Sequence, residues 1–433
     1  MNRTLLSICV LVAASVAAIS CGSYKAPSAN SRSSKLKFRA FVSNPLLPVS
    51  GGTAPVLNIV DALKDVLSGA AVSVQGGSPQ PGLMALSPNL RFTMVFSASG
   101  NSVVVVDNTT EAIAQTTVGT TNTAVPAITL PGSTESTAIG NDNATGYAAV
   151  PTAPVTGQSP GAVEVLNLQN GTIRASIPVP GARFIVLSPD GNHILAFSDN
   201  SDTVTVIATI LIGTNSDPRS YITGFDQPVW GVFNGSGTAY VLNCGPQCGG
   251  VAAGVSVLDG FPAPGDVVAF SGQTIAVGGA TMGLLSGSTL YVAGTPPGAS
   301  CGSGTAATTC GRLSIIDTGS MKVTGPAIIT DGRHDRISIS QNGQVFIGAH
   351  DCTNINVTNG EVRGCLSIFN SVSSAVVVPP QTGDVTGIQP IRDRNVVYVA
   401  QNRGLSIYDT TTDKLQVTQV DIIGDAVDVK LVN

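Results

Sequence analysis

Charged and aromatic residues are scarce in this sequence. Of its 433 residues, 11% are charged and 5% are aromatic, with one tryptophan and three histidines. The 21 Lys and Arg are outnumbered by 26 Asp and Glu. The chain therefore lacks the net positive charge with which proteins bind nucleic acids and anionic membranes. No apolar run at helical spacing extends beyond the first twenty residues, so an α-helical fold is excluded as well.

Glycine, proline and short β-branched runs dominate instead. The chain has 49 Gly and 26 Pro, and Val, Ile and Ala occur in short runs bounded by turn residues. This pattern is typical of an all-β protein. A chain of this length normally divides into several domains, but an array of repeats forms one because each unit buries its faces on its neighbours.

The N-terminus predicts export. Arg3 precedes an uncharged apolar segment that is short for a membrane span, which is the composition of a signal peptide. The stretch "AISC", ending at Cys21, resembles the lipobox of bacterial lipoproteins, with Ala18 in place of the commoner Leu. We therefore expect a signal peptide at 1–20, a lipidated Cys21 with a flexible polar tether at 21–36, and a single folded domain at 37–433. The alternative is a periplasmic or secreted protein without lipid.

A strand that ends in an acid or amide recurs along the chain. The stretch "LSIYD" (405–409) has counterparts in "LSIFN" (366–370), "LSIID" (313–317), "VSVLD" (255–259), "VEVLN" (163–167), "VVVVD" (103–107), "VLNIVD" (56–61) and, without the acid, "VTVIA" (204–208). Alternation with period two gives each strand a buried face. The terminal Asp or Asn can accept hydrogen bonds from the following backbone and start a turn. Asp409 is therefore predicted to form a turn rather than to act as a catalytic acid.

Two further strands precede each of these runs. One is of the type "AYVLN" (239–243), and ahead of it lies a strand closed by a turn, as in "FIVLSPDG" (184–191). With a fourth strand such as "KLQVTQV" (414–420), they form four-stranded units that repeat about every 50 residues, as in a β-propeller.

The motifs themselves resemble a known repeat. The stretches "LSPDG" (187–191), "FVSN" (41–44), "YVLN" (240–243) and "LSIYDTTTDKL" (405–415) resemble the YVTN-type, YncE-like propeller repeat family. The resemblance covers nearly all of the chain after residue 36. It implies the propeller fold, whereas the functions within that family are mixed.

The strand count predicts eight blades, the alternative being the seven that are commoner in the family. The second and third strand types each occur eight times. The chain enters at a second strand, "KFRAFVSN" (37–44), and ends on an innermost strand within "DAVDVKLVN" (425–433). We therefore expect both termini to share one blade, which closes the ring and removes open edge strands.

Six cysteines after Cys21 form three local pairs. An exported chain predicts the disulfides Cys244–Cys248, Cys301–Cys310 and Cys352–Cys365, although six cysteines permit other connectivities. Metal binding is the alternative, but no histidine follows a pair at ligand spacing, so we expect no metal. Each pair lies between the second and third strands of a blade, on the face that also carries the connections between blades. Stiffened loops on one face predict a recognition surface, the alternative being tolerated insertions.

The candidate site consists of polar residues at the starts of the innermost strands. Arg333, His334 and Asp335 of "DGRHDR" (331–336) are the catalytic candidates, because a histidine flanked by acids and arginines can act as an acid or base or hold an anion. A solvated, salt-bridged turn is the alternative. Equivalent positions supply candidate ligand-binding residues for a polar funnel: Arg183, Asp226, Gln227, Asp384 and Asp425.

The expected function is a non-catalytic binding scaffold. Quinoprotein propellers place tryptophans in nearly every blade and haem propellers need a CxxCH site, and this chain has only Trp230 and no CxxCH, so we expect no cofactor. We expect a monomer in the bacterial cell envelope, held to the membrane by its lipid, with a protein, peptide or glycan as partner. The alternative is a hydrolase- or lactonase-like enzyme with its site at the channel mouth.

Lipidation predicts where the protein is found in cell fractions. Cys21→Ala should move the exported protein from the membrane fraction to the soluble fraction, because the substitution removes the atom that carries the lipid. Cys9→Ala, in the signal segment, is the matched control and should stay with the membrane. Fractionation and mass spectrometry of the N-terminal peptide measure both; wild-type protein free of lipid would refute the anchor.

Overall fold

The computed structural model describes residues 33–50, 52–74, 82–118, 120–235, 237–299, 309–353, 355–357 and 361–433. These residues form an eight-bladed β-propeller, with eight sheets of four or five strands arranged around a central channel. The predicted signal peptide and the lipidation site Cys21 lie outside the described residues. In the part that is described, no helix has the length and apolar character needed to cross a membrane.

Each blade contributes one innermost strand to the channel, and blade 1 contains both ends of the chain. For blades 1 to 8, the innermost strands are Asp428–Leu431, Leu83–Leu86, Ser136–Ile139, Ala182–Leu187, Pro228–Phe233, Met282–Ser286, Arg333–Ile339 and Val385–Ile391. The second strands are Arg39–Val49, Phe92–Phe96, Thr145–Val150, His193–Ser198, Thr238–Asn243, Thr289–Gly294, Gln344–His350 and Val396–Gln401. The predicted eight blades and the shared closing blade are confirmed.

The outer strands complete the blades. The third strands are Gly52–Asp61, Ser102–Asp107, Ala162–Asn167, Thr203–Ala208, Gly254–Asp259, Gly311–Asp317, Leu366–Asn370 and Gly404–Asp409. The fourth strands are Val66–Ser73, Ala112–Ile113 with Ile128–Thr129, Thr172–Pro178, Arg219–Thr223, Thr274–Ala276, Lys322–Ile329, Val376–Val377 and Lys414–Leu415. The additional elements are a parallel edge strand on blade 4 (Val267–Ala269), two hairpins (Gln115–Val118 with Thr121–Ala124, Ile355–Val357 with Glu361–Arg363) and two 3-10 helices (Thr209–Leu211, Gly245–Cys248).

Six of the seven acids and amides that end the third strands form turns, as predicted, whereas Asp259 accepts a hydrogen bond from the Thr238 hydroxyl (2.8 Å). An Asp409 carboxylate oxygen accepts hydrogen bonds from the backbone N–H groups of Thr411 (2.7 Å) and Thr412 (3.2 Å). The hydrogen bond from the Thr411 hydroxyl is the largest of the contacts that lower the pKa of Asp409. The same bond to the backbone two residues on is made by Asp61, Asp107, Asn167, Asp317 and Asn370.

The hydrophobic core lies between blades rather than within them. Eight of the apolar clusters formed by the described residues each join two adjacent blades. Between blades 7 and 8, for example, the buried rings of Phe346 and Tyr408 meet edge to face at 6.0 Å. A blade therefore exposes two apolar faces unless both neighbours are present, and the ring must close for any blade to be stable.

The closing strand is joined to its own blade by backbone pairing and to the next by a buried acid. Val42 pairs with Val429 in an antiparallel ladder. The buried Asp428 accepts a hydrogen bond from the backbone N–H of Met84 in blade 2 (2.9 Å), and its own N–H donates to Ser43 Oγ (3.0 Å). The C-terminal strand thus links blades 1 and 2 through backbone and side chain.

A second buried network joins blade 1 to blade 8. Arg394 binds Asp65 through two parallel hydrogen bonds of 2.6 and 2.7 Å, and the hydroxyl of the buried Tyr398 donates to the same carboxylate. Two-pronged pairing of this kind fixes the relative orientation of both partners. Both sides of the closing blade are therefore tied by buried polar contacts.

Two of the three predicted disulfides are present. Cys244 is bonded to Cys248 in blade 5, and Cys352 is bonded to Cys365 in blade 7. Both bridge the loop between the second and third strands, as expected. The third predicted pair, Cys301–Cys310, includes Cys301, which lies outside the described residues.

Ring closure predicts that the C-terminal strand is essential for stability. A chain ending at Gly424 loses the ladder to blade 1 and leaves two blade faces open. Each buried apolar side chain that is exposed costs roughly 1.5–3 kcal/mol, against a total stability of about 5–15 kcal/mol. The shortened chain should unfold or aggregate, as measured by calorimetry and light scattering. A chain lacking residues 22–32 serves as the control; a monomer ending at Gly424 that melts at the wild-type temperature would contradict the role of the closing strand.

Candidate functional site

One face of the ring collects the starts of the innermost strands and the loops between second and third strands. Cavities on this face are lined by residues of both kinds, such as Arg183 and Arg333 from strand starts and Asp199 and Cys248 from the loops. The cavity at the channel mouth has a volume of about 700 Å³. The predicted face therefore carries two concave sites.

Four innermost strands carry a β-bulge close to their start. The extra residue is Arg183 in blade 4, Val229 in blade 5, Asp335 in blade 7 and Thr386 in blade 8. A bulge breaks the alternation of the strand and redirects a side chain, and bulges are common beside functional sites. All four extra residues line either the cavity at the channel mouth or a second cavity beside it.

A second cavity, which we call the side pocket, opens beside the channel. Its volume of about 420 Å³ lies in the range of small-molecule sites. The apolar part of its wall consists of Phe184, Phe197, Pro228 and Val229. The rest of the lining is Arg183, Ser198, Asp199, Asn200, Gln227, Gln247, Cys248, Thr281, Arg333, His334 and Asp335.

On one side of the side pocket, Arg183 is held between two carboxylates. Its Nε and one Nη donate to the two oxygens of Asp199 at 2.5 and 2.6 Å, and its other Nη donates to Glu135 at 2.8 Å. The hydrogen bond to Asp199 is the main reason that the pKa of Arg183 is raised. This group of three charged residues carries one more negative charge than positive charge.

On the other side, Asp335 is surrounded by basic groups. One of its oxygens lies 3.3 Å from Nε2 of His350, 3.4 Å from Arg336 and 4.0 Å from Arg333. Burial alone raises the pKa of Asp335, but these neighbours outweigh burial and the pKa lies below its usual value. The other oxygen, Oδ1, has no hydrogen-bond partner within the described part of the chain.

His334 is buried and neutral. Its side chain sits 3.0 Å from the backbone carbonyl of Thr330 through Nε2, which must therefore carry the proton and donate it. Burial lowers the pKa of His334 to about 4. Nδ1 is left as a buried acceptor with no partner among the residues described. A histidine in this state is a weak base at neutral pH.

Among the remaining candidates, two acids are occupied by loop backbone. Asp226 accepts hydrogen bonds from the N–H groups of Val251 (3.0 Å) and Ala252 (2.6 Å) in the disulfide loop of blade 5. Asp384 accepts one from the N–H of Asp351 (2.9 Å) in the loop of blade 7. These carboxylates hold the loops in place, and neither lines the side pocket or the channel-mouth cavity.

Gln227 and Asp425 lie in the two cavities themselves. Gln227 lines the side pocket, and Asp425 lines the channel mouth, where it pairs with Arg403 at 3.4 Å. The structure places Arg183, Gln227 and the Arg333–Asp335 segment around the side pocket.

Sequence reasoning missed the partners of Arg183. Glu135 precedes the innermost strand of blade 3, and Asp199 follows the second strand of blade 4. Both positions belong to the face that was predicted for recognition, and this was the available signal. The described residues contain no group of three or more His, Cys, Asp and Glu arranged to hold a metal ion.

Comparison with known proteins supports the fold alone. No family model matches the chain, and no curated protein sequence matches it. Among solved structures, the dihydro-heme d1 dehydrogenase NirN in complex with DHE is 12% identical over 94% of this chain and 77% of that chain, with a TM-score of 0.60. The Dos1 propeller is 12% identical over 81% and 86%, with a TM-score of 0.56. Apo AztD from Citrobacter koseri is 12% identical over 90% and 97%, with a TM-score of 0.51.

The buried state of His334 predicts its titration. The ring should remain neutral, with the proton on Nε2, until the pH falls to about 4, because protonation would place a charge on a buried side chain. Ring nitrogen NMR shifts measure this, with His334→Gln used for assignment. A midpoint near the ordinary histidine value would contradict it. Since the folded pKa is lowered, this group costs stability as the pH falls from the unfolded pKa towards 4, and the cost is complete below it.

Proposed function

We propose that this propeller is an exported binding protein that takes a ligand into the side pocket without transforming it. The observation that carries the proposal is the position of the Cys244–Cys248 loop. Gln247 and Cys248 form part of the pocket wall. Gln247 accepts a hydrogen bond from the N–H of Thr295 in blade 6 (2.8 Å) and donates to the carbonyl of Gly332, ahead of blade 7 (3.4 Å). A covalently closed loop from one blade thus reaches two others beside the pocket.

The charged groups around the pocket favour binding over catalysis. Arg183 is bound to two carboxylates and Asp335 to a cluster of basic groups. His334 has a pKa of about 4 and is neutral. General acid–base catalysis near neutral pH requires a group whose pKa lies near that pH, and none of these three groups meets the requirement. Fixed, paired charges instead suit the orientation of a ligand.

An oxidising compartment fits the disulfides. Bonds such as Cys244–Cys248 and Cys352–Cys365 are typical of extracellular and periplasmic proteins. With the signal segment at 1–20 and the lipobox-like Cys21, they support a chain tethered through 21–36 to the bacterial cell envelope. We propose that it acts there as a monomer, with 37–433 as one domain. Its partner there is a protein, peptide or glycan. The repeat motifs support a place in the YVTN-type, YncE-like family.

A hydrolase or lactonase at the channel mouth is the second candidate, and one contact favours it. His350 lines the channel mouth and lies between two acids, with Nε2 3.3 Å from Asp335 and Nδ1 3.8 Å from Asp384. A histidine oriented by carboxylates is a common arrangement for a general base. If this function holds, His350→Ala should abolish turnover in a substrate screen, whereas His334→Ala should not.

Filling the side pocket tests the binding function. We expect at least one compound from a panel of amino acids, dipeptides and monosaccharides to raise the melting temperature of the wild type, because a ligand at 100 times its Kd adds about 2.7 kcal/mol. Val229→Trp should remove that rise, because the indole occupies the pocket. Val267→Trp is the matched control, since Val267 is exposed on the outer edge of blade 4, and it should keep the rise.

The alternative outcomes are distinct. An equal rise in Val229→Trp would place the ligand elsewhere, and no rise with any compound would contradict small-ligand binding. Chemical conversion of the stabilising compound by the purified protein would replace the binding function with the enzymatic one.

A further inference from the structure

Each side of the side pocket carries an ion pair. On the blade 4 side, Asp199 and Arg183 line the pocket, and Glu135 binds Arg183 without being part of the lining. On the blade 7 side, Arg333 and Asp335 line the pocket, and Arg336 contacts Asp335 without being part of the lining. The pocket is therefore flanked by two walls, each with one acid and one arginine.

Each wall has a member that is free to meet a ligand. The Arg333 side chain is 58% exposed, and its one ion pair among the described residues is a long contact of 4.0 Å to Asp335. The Asp199 side chain is 37% exposed, and each of its oxygens accepts one hydrogen bond from Arg183. A carboxylate oxygen can accept more than one bond, so Asp199 can also accept from a ligand ammonium group.

Much of the remaining lining is apolar. Phe184, Phe197, Pro228 and Val229 are carbon-rich and offer few hydrogen bonds. A sugar would leave the hydroxyl groups that face these four residues without partners, which costs free energy for each group. A simple anion or cation would use one wall and leave the other uncompensated. The ligand that satisfies all three surfaces has an apolar body and carries both charges.

We infer that the side pocket binds a small zwitterion with an apolar body, namely an apolar α-amino acid or a short peptide with free termini. The ammonium group lies against Asp199 and the carboxylate against Arg333, with the side chain on Phe184 and Val229. This inference rests on the proposed binding function and gives that function its ligand class.

Four forms of one dipeptide test the ligand class. The probes are leucyl-leucine, its N-acetyl form, its C-terminal amide and the form blocked at both ends, with free leucine as a shorter zwitterion. Isothermal titration on the purified wild type should give the lowest Kd for a form with both charges. Blocking either terminus should raise the Kd at least tenfold, which is about 1.4 kcal/mol.

Charge-removing variants assign each terminus to its wall. In Arg333→Gln, the free acid and the amide should bind equally, because the partner of the carboxylate is gone. In Asp199→Asn, the free amine and the acetylated form should bind equally. If Asp199→Asn lowers the melting temperature by loosening Arg183, Glu135→Gln tests the same wall from the other acid. Lys64→Gln, at an exposed lysine in a blade 1 turn, is the matched control and should leave all Kd values unchanged.

The results separate this inference from the binding function. Equal binding of the doubly blocked peptide would overturn the zwitterion and leave the pocket as a binding site. The zwitterion would also be overturned if a monosaccharide of the wider panel raised the melting temperature, if that rise were lost in Val229→Trp, and if no leucine compound gave a rise. If no compound binds, the zwitterion inference and the proposed binding function are both contradicted. Unchanged preferences in Arg333→Gln and in both acid variants would overturn the proposed orientation.

Discussion

The C-terminal strand of the chain pairs with the second strand of blade 1, and the rest of the propeller depends on this contact. Every large apolar cluster is shared by two blades, so a ring that is open at one point exposes two apolar faces at once. Val42 and Val429 close the backbone ladder, and the buried Asp428 extends the closure to Met84 in blade 2. Ring closure is therefore a condition for every site on the molecule, including those formed by distant blades.

Closure of the ring places the starts of eight similar innermost strands around the channel. The candidate site forms at the blades whose innermost strands differ from the others at their starts. The bulges at Arg183, Val229, Asp335 and Thr386 add one residue to strands whose pairing continues unchanged on either side. The redirected side chains line the side pocket and the channel mouth, while Asp226 and Asp384 hold the neighbouring loops. Rigid strands thus fix the charged groups, and the Cys244–Cys248 loop completes the wall of the side pocket. This division of roles is expected of a site built on a repeat scaffold.

Local patterns predicted the fold well because each blade repeats them. Strand alternation, the Asp and Asn turns and the paired cysteines all depend on residues a few positions apart, and the ring followed from counting strands. The site depends on contacts between blades. Arg183 was identified from its position, but its partners Glu135 and Asp199 come from other segments, and no spacing in the sequence marks a bulge. The burial of His334 was equally invisible, because it depends on packing from residues remote in sequence.

The state of the charged groups bears on how such a site can work. A catalytic site keeps at least one group ready to exchange a proton near neutral pH. Here burial keeps His334 neutral, and basic neighbours keep the pKa of Asp335 low. These groups change little in charge over the neutral range, so they present a constant electrostatic pattern to a ligand. Because that pattern is already fixed by ion pairs and disulfides, less ordering is required on binding, which favours affinity.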